Sequence, residues 1–86
     1  MKFRRYDFKL YDFGYGIHSC EIKKFYKKKG DSIEINDPLI KIKILGKIEV
    51  PLISKHKGTI EKIYFFVGDT VNVGEVIFTL NVTKKD

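Results

Sequence analysis

The chain of 86 residues predicts an all-β barrel or sandwich made of two similar halves. Three observations carry that expectation. Apolar and polar residues alternate at period two along much of the chain, and no stretch of ten residues holds a helical period cleanly. Turn signals separate these runs at roughly eight- to twelve-residue spacing. The chain also matches itself when slid by 38 residues: five of the 23 pairs between residues 20–42 and 58–80 are identical, and most of the others keep their chemical class. Two copies are too few for a solenoid. They fit one core built by two halves about a quasi-two-fold axis.

The elements follow in order. Phe8, Tyr11, Phe13 and Tyr15 have the spacing of a strand and loop packing on the core. Glu21–Tyr26 aligns with Thr59–Tyr64, which assigns Phe25 and Tyr26 to core positions. Gly30-Asp31 and Gly68-Asp69 form equivalent turns, each followed by a short alternating run around Ile33 and Ile35 or Val71 and Val73. Ile40, Ile42 and Ile44 share one strand face, with Lys41 and Lys43 on the other. Leu45-Gly46-Lys47 is a turn, after which Ile48, Val50 and Leu52 alternate with Glu49, Pro51 and Ile53. Val76–Val82 is rich in β-branched and aromatic residues, which favour strands. The repeat makes Lys9 and Lys85 the quasi-equivalents of Lys47. That puts the 45–47 turn at one end of the domain and both termini at the other.

Composition bounds the function. One domain spanning residues 1–86 is expected, with its core at about 6–82. The longest apolar runs are too short for a membrane-spanning helix, and no secretory leader is expected. The single cysteine, Cys20, excludes a disulfide framework. With His18 and His56 it lacks metal-ligand spacing, so no metal site is expected. Catalytic residues are not expected either, because no acid–base pair, nucleophile–His pair or phosphate-cradling glycine loop is present. The net charge of +6 raises nucleic acid or an acidic protein as partner. Yet the lysines are spread over both halves, without aromatic residues left over for base stacking, so nucleic acid binding is expected to be weak.

Specific runs then carry a resemblance. Lys9-Leu10-Tyr11-Asp12-Phe13-Gly14-Tyr15-Gly16-Ile17 resembles the opening Lys-Leu-Pro-Asp-Ile-Gly-Glu-Gly-Ile of lipoyl domains. Asp37-Pro38-Leu39, Lys57-Gly58-Thr59-Ile60 and Val67-Gly68-Asp69-Thr70-Val71-Asn72-Val73-Gly74 resemble later family segments in the same order. The family is the lipoyl domain of the acyltransferase component of 2-oxo acid dehydrogenase complexes. The resemblance implies a flattened barrel-sandwich hybrid of two four-stranded antiparallel sheets, with lipoate held in amide linkage to a lysine on a hairpin tip. That lysine maps to Lys47, because the spacing from Lys47 to Gly58 equals the family spacing without a gap. Lys43 is the second candidate, should an extra residue before Lys47 shift the hairpin register. Gly46 stands where the family has Asp, and Tyr15 where it has Glu.

The function implied is that of a swinging-arm carrier of acyl groups, itself not an enzyme. The partners implied are a thiamine-dependent 2-oxo acid decarboxylase, the acyltransferase core, a flavin dihydrolipoyl dehydrogenase and the lipoyl-attaching enzyme. The compartment implied is the mitochondrial matrix in a eukaryote and the cytoplasm in a bacterium. The alternatives are a biotin carrier domain and an unmodified basic β-module that binds nucleic acid or an acidic protein.

Overall fold

The structure, a computed structural model, describes residues 2–84. It contains eight strands and, among the described residues, no helix: β1 (Lys2–Lys9), β2 (Ser19–Phe25), β3 (Ser32–Ile33), β4 (Pro38–Ile44), β5 (Ile48–Ile53), β6 (Gly58–Ile63), β7 (Thr70–Asn72) and β8 (Val76–Lys84). They form two four-stranded antiparallel sheets, ordered β1-β8-β6-β3 and β5-β4-β2-β7. The expected all-β sandwich is therefore the architecture observed.

The alternating faces build the core between the sheets. Ile22, Ile33, Leu39, Ile40, Ile42, Val71, Ile77, Phe78 and Leu80 are fully buried. Phe78 meets Phe8 and Phe25 edge-on, with ring centroids 5.7 and 5.8 Å away. Such pairs add about 0.5–1.5 kcal/mol each beyond the area they bury. The aromatic cluster of the first segment is divided. Phe8 and Phe13 pack against the core, whereas Tyr11 is exposed and Tyr15 almost wholly so. Tyr26 and Tyr64 are not core residues as expected: Lys24 lies over the ring of one and Lys62 over the ring of the other, at 5.0 and 4.9 Å.

The repeat is written in hydrogen bonds. The Asp31 carboxylate accepts from the Lys28 N–H and the Asp69 carboxylate from the Phe66 N–H, at 2.9 and 2.8 Å. Gly30 N–H donates to the Ile60 carbonyl and Gly68 N–H to the Ile22 carbonyl, both at 2.8 Å. The return bonds run from Ile60 N–H to Asp31 and from Ile22 N–H to Asp69, both at 2.9 Å. Each half thus clasps a strand of the other. Gly30 and Gly68 adopt φ of 91° and 94°, which glycine reaches without a Cβ clash.

One equivalence inferred from the repeat is wrong. Strands β2, β3 and β4 map onto β6, β7 and β8 at 38 residues, but β5 does not map onto β1 at that spacing. Ile40 pairs with Leu52, and its equivalent Phe78 pairs with Phe8, so Leu52 corresponds to Phe8. The backbone agrees. Ser54 bridges Asn36 and Asp37 as Leu10 bridges Gly74 and Glu75. Lys9 is therefore not the counterpart of Lys47, and Lys85 lies outside the described residues. The physical reason is that β4 and β5 are joined by a tight turn while β8 and β1 are not consecutive, so no loop length ties β1 to the 38-residue register. The expected polarity nevertheless holds. Lys2 pairs with Lys84, and β1 carries the chain roughly 26 Å from there towards the 10–18 segment that flanks the 45–47 turn.

Candidate functional site

The β4–β5 hairpin positions the lysine singled out by the resemblance. Ile40, Ile42 and Ile44 anchor β4 in the core. The ladder continues to the Ile44–Ile48 pair, leaving residues 45–47 as the loop. Leu45 and Gly46 take φ of 53° and 70°, and the Lys47 N–H closes the turn onto the Ile44 carbonyl at 3.2 Å. Two consecutive left-handed residues give the turn the twist that suits a β-hairpin. Lys47 emerges exposed and makes no ion pair among the described residues.

Lys43 sits differently. It lies within β4, half-buried, directly opposite Glu21 on β2 and Glu49 on β5. Those carboxylates also face Lys23 at 3.5 Å and Lys41 at 3.9 Å. An amine on an inner strand is flanked on both sides by neighbouring strands, so an enzyme reaches it less readily than one on a tip.

A second turn borders the first. Ile17 N–H bonds to the Gly14 carbonyl at 3.1 Å, and Tyr15 and Gly16 between them have φ of 56° and 73°. The Asp12 carboxylate fixes its entrance by accepting from Gly14 N–H at 2.8 Å. Gly16 and Ile17 line a cavity of about 380 Å³ together with Lys43, Leu45 and Gly46, so the two left-handed turns stand side by side. The sequence signal for the second turn is the Gly14-Tyr15-Gly16 triplet, whose two glycines reach the positive φ the turn requires.

Cys20 and His18 also reach this region, but His56 stands elsewhere, its ring tilted against that of Tyr6 with centroids 4.6 Å apart. No group of three or more metal-ligating side chains occurs among the described residues. Cys20 is buried, and burial pushes its thiol up to about 11. A larger groove of about 960 Å³ runs along the seam between the edge strands β1 and β5, floored by Leu52 and Leu80. Ser54, fully buried in its wall, exchanges hydrogen bonds with the His56 backbone.

Comparison with known proteins gives a consistent picture. Residues 7–80 match the family Biotin_lipoyl, described as "Biotin-requiring enzyme". The chain is 35% identical over 68 residues to the lipoamide acyltransferase component of the bovine mitochondrial branched-chain alpha-keto acid dehydrogenase complex, covering 79% of this chain and 14% of that protein. It is 37% identical over 77 residues to the dihydrolipoyllysine-residue acetyltransferase component of the Staphylococcus aureus pyruvate dehydrogenase complex, covering 88% and 17%. Among solved structures, it resembles the lipoyl domain of the 2-oxoglutarate dehydrogenase complex from Azotobacter vinelandii. That likeness has a TM-score of 0.72 at 26% identity and covers 86% of this chain and 92% of the other.

Proposed function

The chain belongs to the biotin–lipoyl family, as a lipoyl domain and a non-catalytic carrier, and from that premise we propose that Lys47 is its attachment residue and lipoate its covalent cargo. The observation that carries this reading is the place of Lys47. It is an exposed lysine on a tight hairpin tip, without an ion pair among the described residues, at the far end of the domain from the paired residues Lys2 and Lys84. Such a lysine swings a tethered group with little interference from the body that holds it.

When bound, the lipoyl group supplies a dithiolane that takes up an acyl group and releases it to a thiol acceptor. The protein contributes placement. A tight turn projects the amine, and tethering raises the local concentration of cargo at each active site it visits. The buried Cys20 thiol is withheld from exchange with that cargo.

The chain spans about one sixth of the length of the curated relatives it matches. The remaining assignments therefore rest on analogy with them. Residues 1–86 form one module with its core at about 6–82. Its partners are a thiamine-dependent 2-oxo acid decarboxylase, the acyltransferase core, a flavin dihydrolipoyl dehydrogenase and a lipoyl-attaching enzyme. The mitochondrial and bacterial relatives support the matrix in a eukaryote and the cytoplasm in a bacterium. The test is the intact mass of the protein isolated from its own cells, followed by peptide mapping. One lipoyl group on the Lys47 peptide is expected. A biotinyl group, or no added mass when lipoate and a competent attaching enzyme are present, would overturn the reading.

A further inference from the structure

We propose that the seam groove between β1 and β5 receives an extended acidic segment of another polypeptide, which joins the free edge of β1 as an added strand. The proposal does not depend on which lysine is acylated or on the cargo. β1 and β5 are the outer strands of opposite sheets, and among the described residues no backbone hydrogen bond joins them. In an antiparallel ladder, alternate residues turn their N–H and C=O groups away from the partner strand. On β1 those groups, unused by β8, face the groove of about 960 Å³. The opposite lip is interrupted, because Pro51 has no N–H to donate. β1 is thus the edge that accepts a strand. Its groove-lining stretch, residues 6–12, spans roughly 20 Å at the rise of a strand, enough for about six paired residues.

The groove is apolar within and basic at its borders. Leu52 and Leu80 floor it, and Tyr6 and Ile53 wall it at 37% and 42% exposure. Both carboxylates of the lining residues are engaged. Asp7 accepts from the Thr79 hydroxyl at 3.0 Å and Asp12 from the Gly14 N–H at 2.8 Å. Lys9, Lys55 and Arg4, which lies two residues before Tyr6 on the same face, make no ion pair among the described residues. The free charge around the groove is therefore positive and complements acidic side chains.

Other occupants meet only part of this. An aliphatic ligand covers the leucines but leaves the β1 edge unpaired. A second copy adding its own β1 sets Lys2, Arg4 and Arg5 against the same residues, a repulsion by which edge strands avoid pairing with themselves. A segment that alternates acidic and apolar residues satisfies the edge, the floor and the cations together.

The test titrates the full isotope-labelled chain with a pool of acetylated, amidated heptapeptides in which Glu alternates with Ile, Val or Phe. Saturable amide shifts are expected at residues 6–9 and 54–56, with slowed hydrogen exchange at the β1 amides. The pool with Lys in place of Glu, and the pool N-methylated on alternate peptide nitrogens, are each expected to bind about tenfold more weakly or worse. Lys9→Glu with Lys55→Glu should weaken the acidic pool by about tenfold while melting near wild type. If that variant melts early, the three pools alone decide. No saturable shift by about 1 mM peptide, shifts confined to other surfaces, or equal binding of the lysine or N-methylated pool overturns the proposal. So does a dimer, seen by sedimentation without peptide, that protects the β1 amides, because a second copy then fills the groove.

Discussion

Gly68 donates its backbone N–H to the Ile22 carbonyl at 2.8 Å, reaching from the second half of the chain into a strand of the first. Gly30 does the same to Ile60. The halves are therefore mutually clasped, and the β1–β8, β2–β7, β3–β6 and β4–β5 ladders all need strands from both. Residues 1–45 and 46–86, produced separately, are expected to lack a folded β spectrum by circular dichroism. A cooperative melt from either fragment alone would contradict this.

Lys47 and Lys43 separate by substitution. Lys47→Arg is expected to abolish lipoylation, since arginine keeps the charge but lacks the acylatable amine. Lys43→Arg should leave it largely intact. Peptide mapping reads both, and lipoate on the Lys47→Arg protein would reassign the site.

Gly58 differs from the turn glycines. A Cβ there would overlap the Asn81 carbonyl oxygen and lie 3.0 Å from Val82 Cα, with only backbone to give way. Gly58→Ala is expected to cost about 3 kcal/mol or more. Gly30→Ala and Gly68→Ala meet open space and pay only for positive φ, about 1 kcal/mol each. Urea unfolding of the three variants should rank them in that order.

Burial raises the Cys20 thiol to about 11, above its unfolded value near 9.0. The unfolded chain then loses this proton at lower pH than the folded one. The stabilisation is complete below pH 9.0 and disappears as pH rises through about 11. Comparing Cys20→Ala with wild type from pH 8 to about 11 isolates this loss from other titrations. At neutral pH, modification by iodoacetamide should be far slower than in the denatured chain.

Asp37 titrates in the opposite sense. The Glu34 N–H donates to its carboxylate at 2.8 Å and Lys27 stands at 3.4 Å, so its carboxyl lies below the usual range despite some opposing burial. Its stabilisation is present above the ordinary carboxylate pKa and is lost as pH falls through the lowered one. The difference in melting temperature between wild type and Asp37→Asn should be largest near neutrality and shrink on acidification.

Much of this architecture was legible because burial and periodicity coincide. Ile40, Ile42 and Ile44 alternate in sequence and are all buried, and Gly30-Asp31 and Gly68-Asp69 announce turns that superpose bond for bond. The candidate tip was legible through Gly46 and the spacing to Gly58. What escaped was set by tertiary contact. Ile35 alternates like a strand residue, yet β3 ends at Ile33 and leaves it 61% exposed. Tyr64 looks like core from its alignment but turns its hydroxyl to Thr79, which in turn bonds Asp7. The place of β1 depended on pairing with β8 across almost the whole chain, which no local pattern encodes.

The pairing of Lys2 with Lys84 has a mechanical meaning. A load applied at these two residues peels β1 from β8 from one end, so the ladder bonds break one after another rather than together. Resistance to such pulling is low, and the first damage falls at the loaded end. The Leu45–Lys47 turn sits at the opposite end of a body 42 Å long and is disturbed last. Strain applied at Lys2 and Lys84 is thus absorbed far from the Lys47 amine.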